Sequence, residues 1–283
     1  MISLMNGSNN IGVIAGGGQF PRLFIEAAKK SGKNLIVVGF KSETEDDVVS
    51  AADQFIWVKL GQVGKVIRYF KKHSVSEAVF LGTITKTRIF RDLFLDFKAL
   101  SVWKKMDRRH DDAILRAVAD VLADEGITII ESTIYLKDLI FPSGVLTKSA
   151  PSKKQHKDIE FGWSMAKAIG GLDIGQCVVV RDRTVLAVEA IDGTDATILR
   201  GGRLGKEQIV IVKVHKPGQD FRFDLPATGL ETIETMKKVN GAVLAVEAGK
   251  SLMFDSEAVI READKHGIVI VGVSEDKEGK VVY

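Results

Sequence analysis

The chain is predicted to be an α/β protein of two domains, and three observations carry that prediction. Over residues 11–130, short apolar runs alternate with stretches of helical periodicity, the rhythm of βαβ units that build a parallel sheet. A polar, proline-containing break at 147–156 then interrupts the pattern. Beyond it, strand-like runs come first as a hairpin and then singly between helices, which suits a mixed sheet. The chain has 283 residues, enough for two domains of ordinary size, each with its own core. The expected division is an N-terminal Rossmann-like domain at 1–145, a linker at 146–157 and a C-terminal α/β domain at 158–283. A hinge is expected at the polar break and a ligand site in the cleft between the domains.

The elements follow in order. Residues 11–15 form a buried strand, and Gly16, Gly17 and Gly18 the turn after it. A helix over 20–30 places Leu23, Phe24, Ala27 and Ala28 on one face and closes at Gly32. Strands are expected at 34–39 and 55–58, a helix at 63–73, a strand at 77–81, a helix at 111–125 and a strand at 127–130. After the break, a helix over 158–169 leads to a strand at 176–180. Asp182 and Arg183 suggest a hairpin into 185–188, although no Asn-Gly or Asp-Gly pair fixes the turn type. Strands at 209–212, 242–246 and 268–271 and helices at 230–239 and 256–266 complete the chain.

Composition excludes several classes of protein. A net charge of +3 is too small to imply a nucleic-acid partner. Cys177, the single cysteine, lies in an apolar strand-like run, so neither a disulfide nor a cysteine metal site is expected. The five histidines show no zinc spacing. The first residues lack a signal-peptide pattern, and the apolar runs are far short of the roughly 20 residues a membrane span requires. A cytoplasmic location is expected.

Three loops concentrate the chemistry. Residues 213–232 carry Asp220, Asp224, Lys213, Lys216, Arg222 and Gln219, with Pro217 and Pro226 preventing regular structure. Mixed charge on a fixed loop at a strand end can aim acids and bases at a phosphorylated ligand; the plainer reading is a solvated loop with surface ion pairs. Lys213, Lys216 and Arg222 are the candidate phosphate clamps. The second loop brings Glu189, Asp192 and Asp195 within seven residues, around Gly193 and Thr194. Crowded oxygens suit a hard cation. Equally, Asp192-Gly193 is a common turn pair and Asp195 could cap a helix beginning at Ala196.

The third loop is the glycine turn, Gly16, Gly17, Gly18 and Gln19, between a strand and a helix. Such a turn can bind an anion through backbone amides and the helix dipole, or be a tight βα connection with no ligand. It is not a dinucleotide fingerprint, because Pro21 stands at the third glycine position and no acidic residue follows the second strand. Nor does it end in the Lys-Ser or Lys-Thr of a P-loop. Separately, Phe90, Phe94 and Phe97 recur at helical spacing over 89–103. They suit core packing, or a groove for acyl chains, with Arg88 and Arg91 near its start.

Seven motifs stand in order along the chain: 14–21 (Ile-Ala-Gly-Gly-Gly-Gln-Phe-Pro), 111–115 (Asp-Asp-Ala-Ile-Leu), 172–176 (Leu-Asp-Ile-Gly-Gln), 188–195 (Val-Glu-Ala-Ile-Asp-Gly-Thr-Asp), 216–220 (Lys-Pro-Gly-Gln-Asp), 222–226 (Arg-Phe-Asp-Leu-Pro) and 229–232 (Gly-Leu-Glu-Thr). Together they closely resemble the LpxI-type UDP-2,3-diacylglucosamine pyrophosphatases of lipid A biosynthesis. The resemblance implies metal-assisted hydrolysis of the substrate's pyrophosphate to UMP and 2,3-diacylglucosamine 1-phosphate, dependent on Mg²⁺ (or Mn²⁺). It implies that Asp224, in the Arg-x-Asp-Leu-Pro motif, is the catalytic aspartate. The expected metal ligands are Asp224 and Asp220. The expected substrate contacts are Gly16, Gly17, Gly18, Gln19, Gly193, Thr194, Asp195, Lys213, Gln219 and Arg222. Expected partners are UDP-2,3-diacylglucosamine, the inner-membrane surface in transient peripheral contact, and a second copy in a homodimer. The alternatives are a hydrolase of another UDP-linked sugar lipid and a non-catalytic nucleotide–lipid binding protein.

Overall fold

The computed structural model describes residues 9–84, 113–218, 220–223 and 225–283. The chain folds into two units, residues 1–137 with 220–224, and residues 138–219 with 225–283. Both are α/β.

The first unit is built on β1 (Asn10–Ala15), β2 (Asn34–Phe40), β3 (Gln54–Val58), β4 (Glu77–Leu81) and β5 (Thr128–Ile129). Its sheet runs β3-β2-β1-β4-β5, with every pair parallel. The order reverses between β1 and β4, so the carboxyl ends of these two strands flank the topological switch point where open α/β sheets place ligands. The helices are α1 (Phe20–Lys30), α2 (Asp46–Ala51), α3 (Val63–Lys72) and α4 (Ala113–Asp124).

Strand periodicity sorts these helices between the faces of the sheet. Ile11, Val13 and Ala15 share one core with Phe24, Ile25 and Ala28 of α1 and Val48 of α2. Ile14 points the other way, into a core with Val66, Ile67 and Phe70 of α3 and Ala117, Val121 and Leu122 of α4. Phe223 belongs to that second core although it lies more than eighty residues beyond its neighbours in sequence. The helix α2 escaped the sequence reading because six residues are too few to display helical periodicity.

The second unit comprises β6 (Gly144–Val145), α5 (Lys153–Gly171), β7 (Cys177–Arg181), β8 (Thr184–Val188), α6 (Thr194–Gly205), β9 (Val210–Lys213), β10 (Ala227–Thr228), α7 (Leu230–Lys238), β11 (Val243–Glu247), β12 (Leu252–Met253), α8 (Ser256–Lys265), β13 (Val269–Glu275) and β14 (Val281–Val282). Its sheet is mixed, in the order β14-β13-β11-β9-β7-β8, with β6 also beside β13. The strands β9, β11 and β13 are parallel, and β7, β8, β6 and β14 pair antiparallel. The strands β10 and β12 form a separate parallel pair. On one face, α5 supplies Ile159, Trp163 and Ala166. On the other, α6, α7 and α8 supply Ile198, Ile233, Met236, Val259 and Ala263.

Two expectations are corrected here. The helix expected at 158–169 begins at Lys153, because Ser152 and Gln155 form a capping box. The stretch expected as a linker at 146–157 is built into the second unit. The Leu146 amide donates to the Ile270 carbonyl (2.9 Å), and the Ile270 amide donates to Thr147 Oγ1 (3.1 Å). The Lys148 amide donates to Asp264 Oδ1 (2.8 Å). These bonds tie residues 146–148 into the second unit, and the division between the units falls at Lys137/Asp138. The aromatic stretch at 89–103 lies outside the described residues. Among those described, no helix is long and apolar enough to cross a membrane.

Candidate functional site

The glycine turn lies at the switch point of the first unit. The Gly16 amide donates to the Leu81 carbonyl (2.8 Å), the Gly17 amide to the Thr83 carbonyl (2.8 Å), and the Thr83 amide to the Gly17 carbonyl (3.1 Å). A Cβ at Gly16 would stand 2.4 Å from the Thr83 oxygen, so only glycine permits this approach. The bridge occupies the amides of Gly16 and Gly17. Those of Gly18, held at φ +85°, and Gln19 make no hydrogen bond among the described residues. The first turn of α1 carries no acidic side chain and no side-chain cap, and Pro21 has no amide to offer. An anion at this turn would therefore meet Gly18 and Gln19 rather than all four residues.

The acidic turn of the second unit is largely self-contained. Glu189 is buried; its Oε2 accepts the Gln176 amide (2.9 Å) and its Oε1 the Thr194 hydroxyl (2.7 Å). Asp192 accepts the amide of Ala190, two residues before it (3.2 Å), and pairs with Arg200. Arg200 and these amides hold the Asp192 carboxyl below its usual range. Asp195 is not the cap of α6. The helix starts at Thr194 with Gly193 at the cap, φ +84°, a position glycine fills without strain. Asp195 sits in the first turn, with its Oδ1 buried and unpartnered among the described residues.

Lys213 ends β9, paired in register with Cys177 and only 5% exposed. Its Nζ donates to the Ala227 carbonyl (2.7 Å). Burial, with Glu189 nearby, pushes the Cys177 thiol up, which makes it an inert core residue. Lys216, expected as a phosphate clamp, pairs with Asp173 (2.8 Å).

The segment Asp220–Asp224 is grouped with the first unit, whereas Gln219 before it and Leu225 after it are grouped with the second. Phe223 is 8% exposed in the α3/α4 core and meets the Phe80 ring edge-on at 5.7 Å between centroids. Arg222 lies over the Phe223 ring at 4.9 Å. Its Nε and Nη2 fork onto Asp220 (3.0 and 2.6 Å), and Arg116 of α4 approaches the same carboxylate at 3.7 Å. Burial alone would raise the Asp220 carboxyl, but the hydrogen bonds from Arg222 and the charge of Arg116 hold it below the usual range. Gln219 and Asp224 lie outside the described residues.

These contacts bear on the expected metal. A hard cation requires several oxygen ligands. Among the described residues no three of His, Cys, Asp and Glu gather to hold one, and both Asp220 oxygens already face Arg222. Asp220 does not fit a ligand role in this arrangement.

One polar centre was not anticipated from the sequence. Glu247, at the end of β11 and 3% exposed, accepts the His215 amide (2.8 Å) and pairs with Lys167 of α5 (2.5 Å). Its members are separated by 32 and 80 positions, so no local signal could have joined them. Burial pushes the His215 ring down to about 4, helped by Lys167 and Lys250 against the opposing charge of Glu247.

Known proteins place the chain. Residues 10–139 match the LpxI N-terminal domain and residues 142–271 the LpxI C-terminal domain. A UDP-2,3-diacylglucosamine pyrophosphatase LpxI from Caulobacter vibrioides is 33% identical over 276 residues, covering 93% of this chain and 97% of the relative. Likeness to solved structures is slight. An N5-carboxyaminoimidazole ribonucleotide synthetase in complex with ADP shares 14% identity over 64% of this chain, at a TM-score of 0.27. A phosphoribosylglycinamide synthetase from Anaerococcus prevotii shares 11% over 67%, at 0.24. The chain spans about a third of each (34%), and neither bears on function. With both domains matched in order and a relative aligned almost from end to end, the chain belongs to the LpxI family.

Proposed function

We propose that this protein hydrolyses the pyrophosphate of UDP-2,3-diacylglucosamine, adding water across the P–O–P linkage to release UMP and 2,3-diacylglucosamine 1-phosphate in lipid A biosynthesis. The supporting observation is the near full-length match to a relative bearing that activity in its name. The reading gives Asp224 the role on which the chemistry depends. It gives Gly18, Gln19, Lys213 and the Nη1 of Arg222, which makes no hydrogen bond among the described residues, the task of meeting the ligand's negative charge, where pre-placed donors stabilise charge that develops as the linkage breaks. Gly16 and Gly17 shape the turn, and Gly193, Thr194, Asp195 and Gln219 are the remaining proposed contacts. The divalent cation, Mg²⁺ or Mn²⁺, is proposed at Asp224; when bound it would neutralise charge on the phosphates. A lipid substrate would be met by a cytoplasmic enzyme at the membrane surface, in transient peripheral contact.

The test is incubation of the protein with UDP-2,3-diacylglucosamine and Mg²⁺, followed by mass analysis of the products. UMP with the acylated sugar phosphate is expected, and a non-acylated UDP-sugar should react poorly. Intact substrate recovered from a bound complex would support a non-catalytic binding protein instead. Full activity in excess EDTA after exhaustive metal removal would refute the cation requirement alone.

A further inference from the structure

We infer that Phe223 and the Arg116–Asp220–Arg222 clasp are the positioning elements of the 220–224 segment, seating Asp224 by anchoring the residues before it in the first unit. The inference rests on the proposed role of Asp224 and adds how that residue acquires its place. Asp224 follows Phe223 directly, so its Cα lies within about 3.8 Å of an anchored neighbour.

The anchor has two independent parts. The first is apolar: Phe223 is 8% exposed, packs in the same core as α3 and α4, and stands edge-on to Phe80 of β4. A large aromatic on a short irregular segment has no reason to sit in a neighbouring core unless the segment's position matters. The second is polar: the Asp220 carboxylate receives the fork of Arg222 and faces Arg116 of α4. The Asp220 side chain is only 15% exposed, so water screens this contact less than it would a surface pair. Asp220 Oδ1 also accepts the Arg222 amide (3.0 Å), which closes a tight local loop. Asp220 and Arg222 thus hold the segment's shape, and Arg116 and Phe223 fix it to the sheet-and-helix layer immediately before Asp224 in sequence. Within a reaction that depends on placement, a displacement of the order of 1 Å costs rate without costing affinity.

The experiment compares Phe223→Ala, Phe223→Met and Arg116→Met with the wild type. It measures single-turnover UMP release, steady-state kcat and KM, and hydrogen exchange of the amides at 220–225. Phe223→Ala is expected to still unfold cooperatively, at a lower temperature because a buried ring is lost, to lower kcat at least about tenfold with KM within about twofold, and to speed exchange in the segment. Phe223→Met, which refills most of the volume, should restore most of kcat, and Arg116→Met should fall between. A folded Phe223→Ala with wild-type kcat overturns the inference, whatever its exchange. Lowered kcat with unchanged exchange also overturns it, since the ring would then act other than by anchoring, and so does a raised KM at unchanged kcat. If the wild type releases no UMP, the proposed function fails. Exchange alone then decides the anchor: wild-type protection in Phe223→Ala refutes it, and lost protection supports it.

Discussion

Two acid-rich loops, one in each unit, look alike in sequence and differ in where their charges go. Residues 189–195 and 220–224 each bring carboxylates close together in sequence; crowding suggested a cation at the first, and the family resemblance implied one at the second. In the second unit two of the three carboxylates are absorbed locally, Glu189 by Thr194 and the Gln176 amide and Asp192 by Arg200, while Asp195 keeps a buried Oδ1 without a partner among the described residues. In the first unit Asp220 is claimed by Arg222 within the segment and faced by Arg116 from a helix about a hundred positions upstream. The first pattern holds a turn together; the second fastens a segment to a core. Crowded oxygens therefore indicate a ligand only after the claims of neighbouring donors have been subtracted.

The largest expected effect tests the residue proposed to carry the chemistry. Asp224→Ala should lower kcat by at least about a hundredfold, the scale for removing one preorganised electrostatic group, while the melting transition is kept. Asp220→Ala should cost about tenfold, because it loosens the segment without removing the reacting group. Equal losses in steady-state assays would put Asp220 in the chemistry and abolish the contrast between the loops.

Acid should unfold the second unit through the centre that neither loop contains. His215 is held neutral, with its folded value near 4 below the ordinary 6.5, so the unfolded chain binds this proton more readily. Stability is then full above about 6.5 and declines as the pH falls toward 4, by up to about 3 kcal/mol. Burial would raise Glu247, but Lys167 and its other partners hold it below its ordinary 4.5, so its contribution is present above that value and lost below. Urea midpoints between pH 7.5 and 4.5 test this, and His215→Gln should flatten the upper part of the decline.

Glu189→Ala should destabilise the protein by about 1–3 kcal/mol, because the part-buried Gln176 amide loses its acceptor. An unchanged urea midpoint would mean that water replaces the carboxylate and that the turn is not self-contained. Asp192→Ala should be the mildest. Its pair with Arg200 lies at the surface, so melting temperature and kcat should match the wild type within error. A clear loss of kcat would return the acidic turn to the active site.

What the sequence determined by itself is what short-range periodicity encodes. The parallel sheet of the first unit was legible because strands such as 11–15 are continuously apolar and separated by amphipathic helices. The mixed sheet of the second was legible from its single hairpin. The motif order gave the family. Tertiary structure decided the rest, wherever a group's partner lies far along the chain. The hairpin turn has φ of +53° at Asp182 and +55° at Arg183, a pattern that residues other than Asn and Gly rarely adopt, and the buried Asp158 accepts both turn amides (3.1 and 2.7 Å). The linker became part of a unit because Ile270 and Asp264 bind it. Gly16 and Gly17 lost their amides to β4 and Thr83, and Phe223 found a core whose other members lie at positions 14–129. Local propensity sets which groups a segment offers. Which of them remain available for a ligand depends on long-range contacts, whose energies no window of sequence contains.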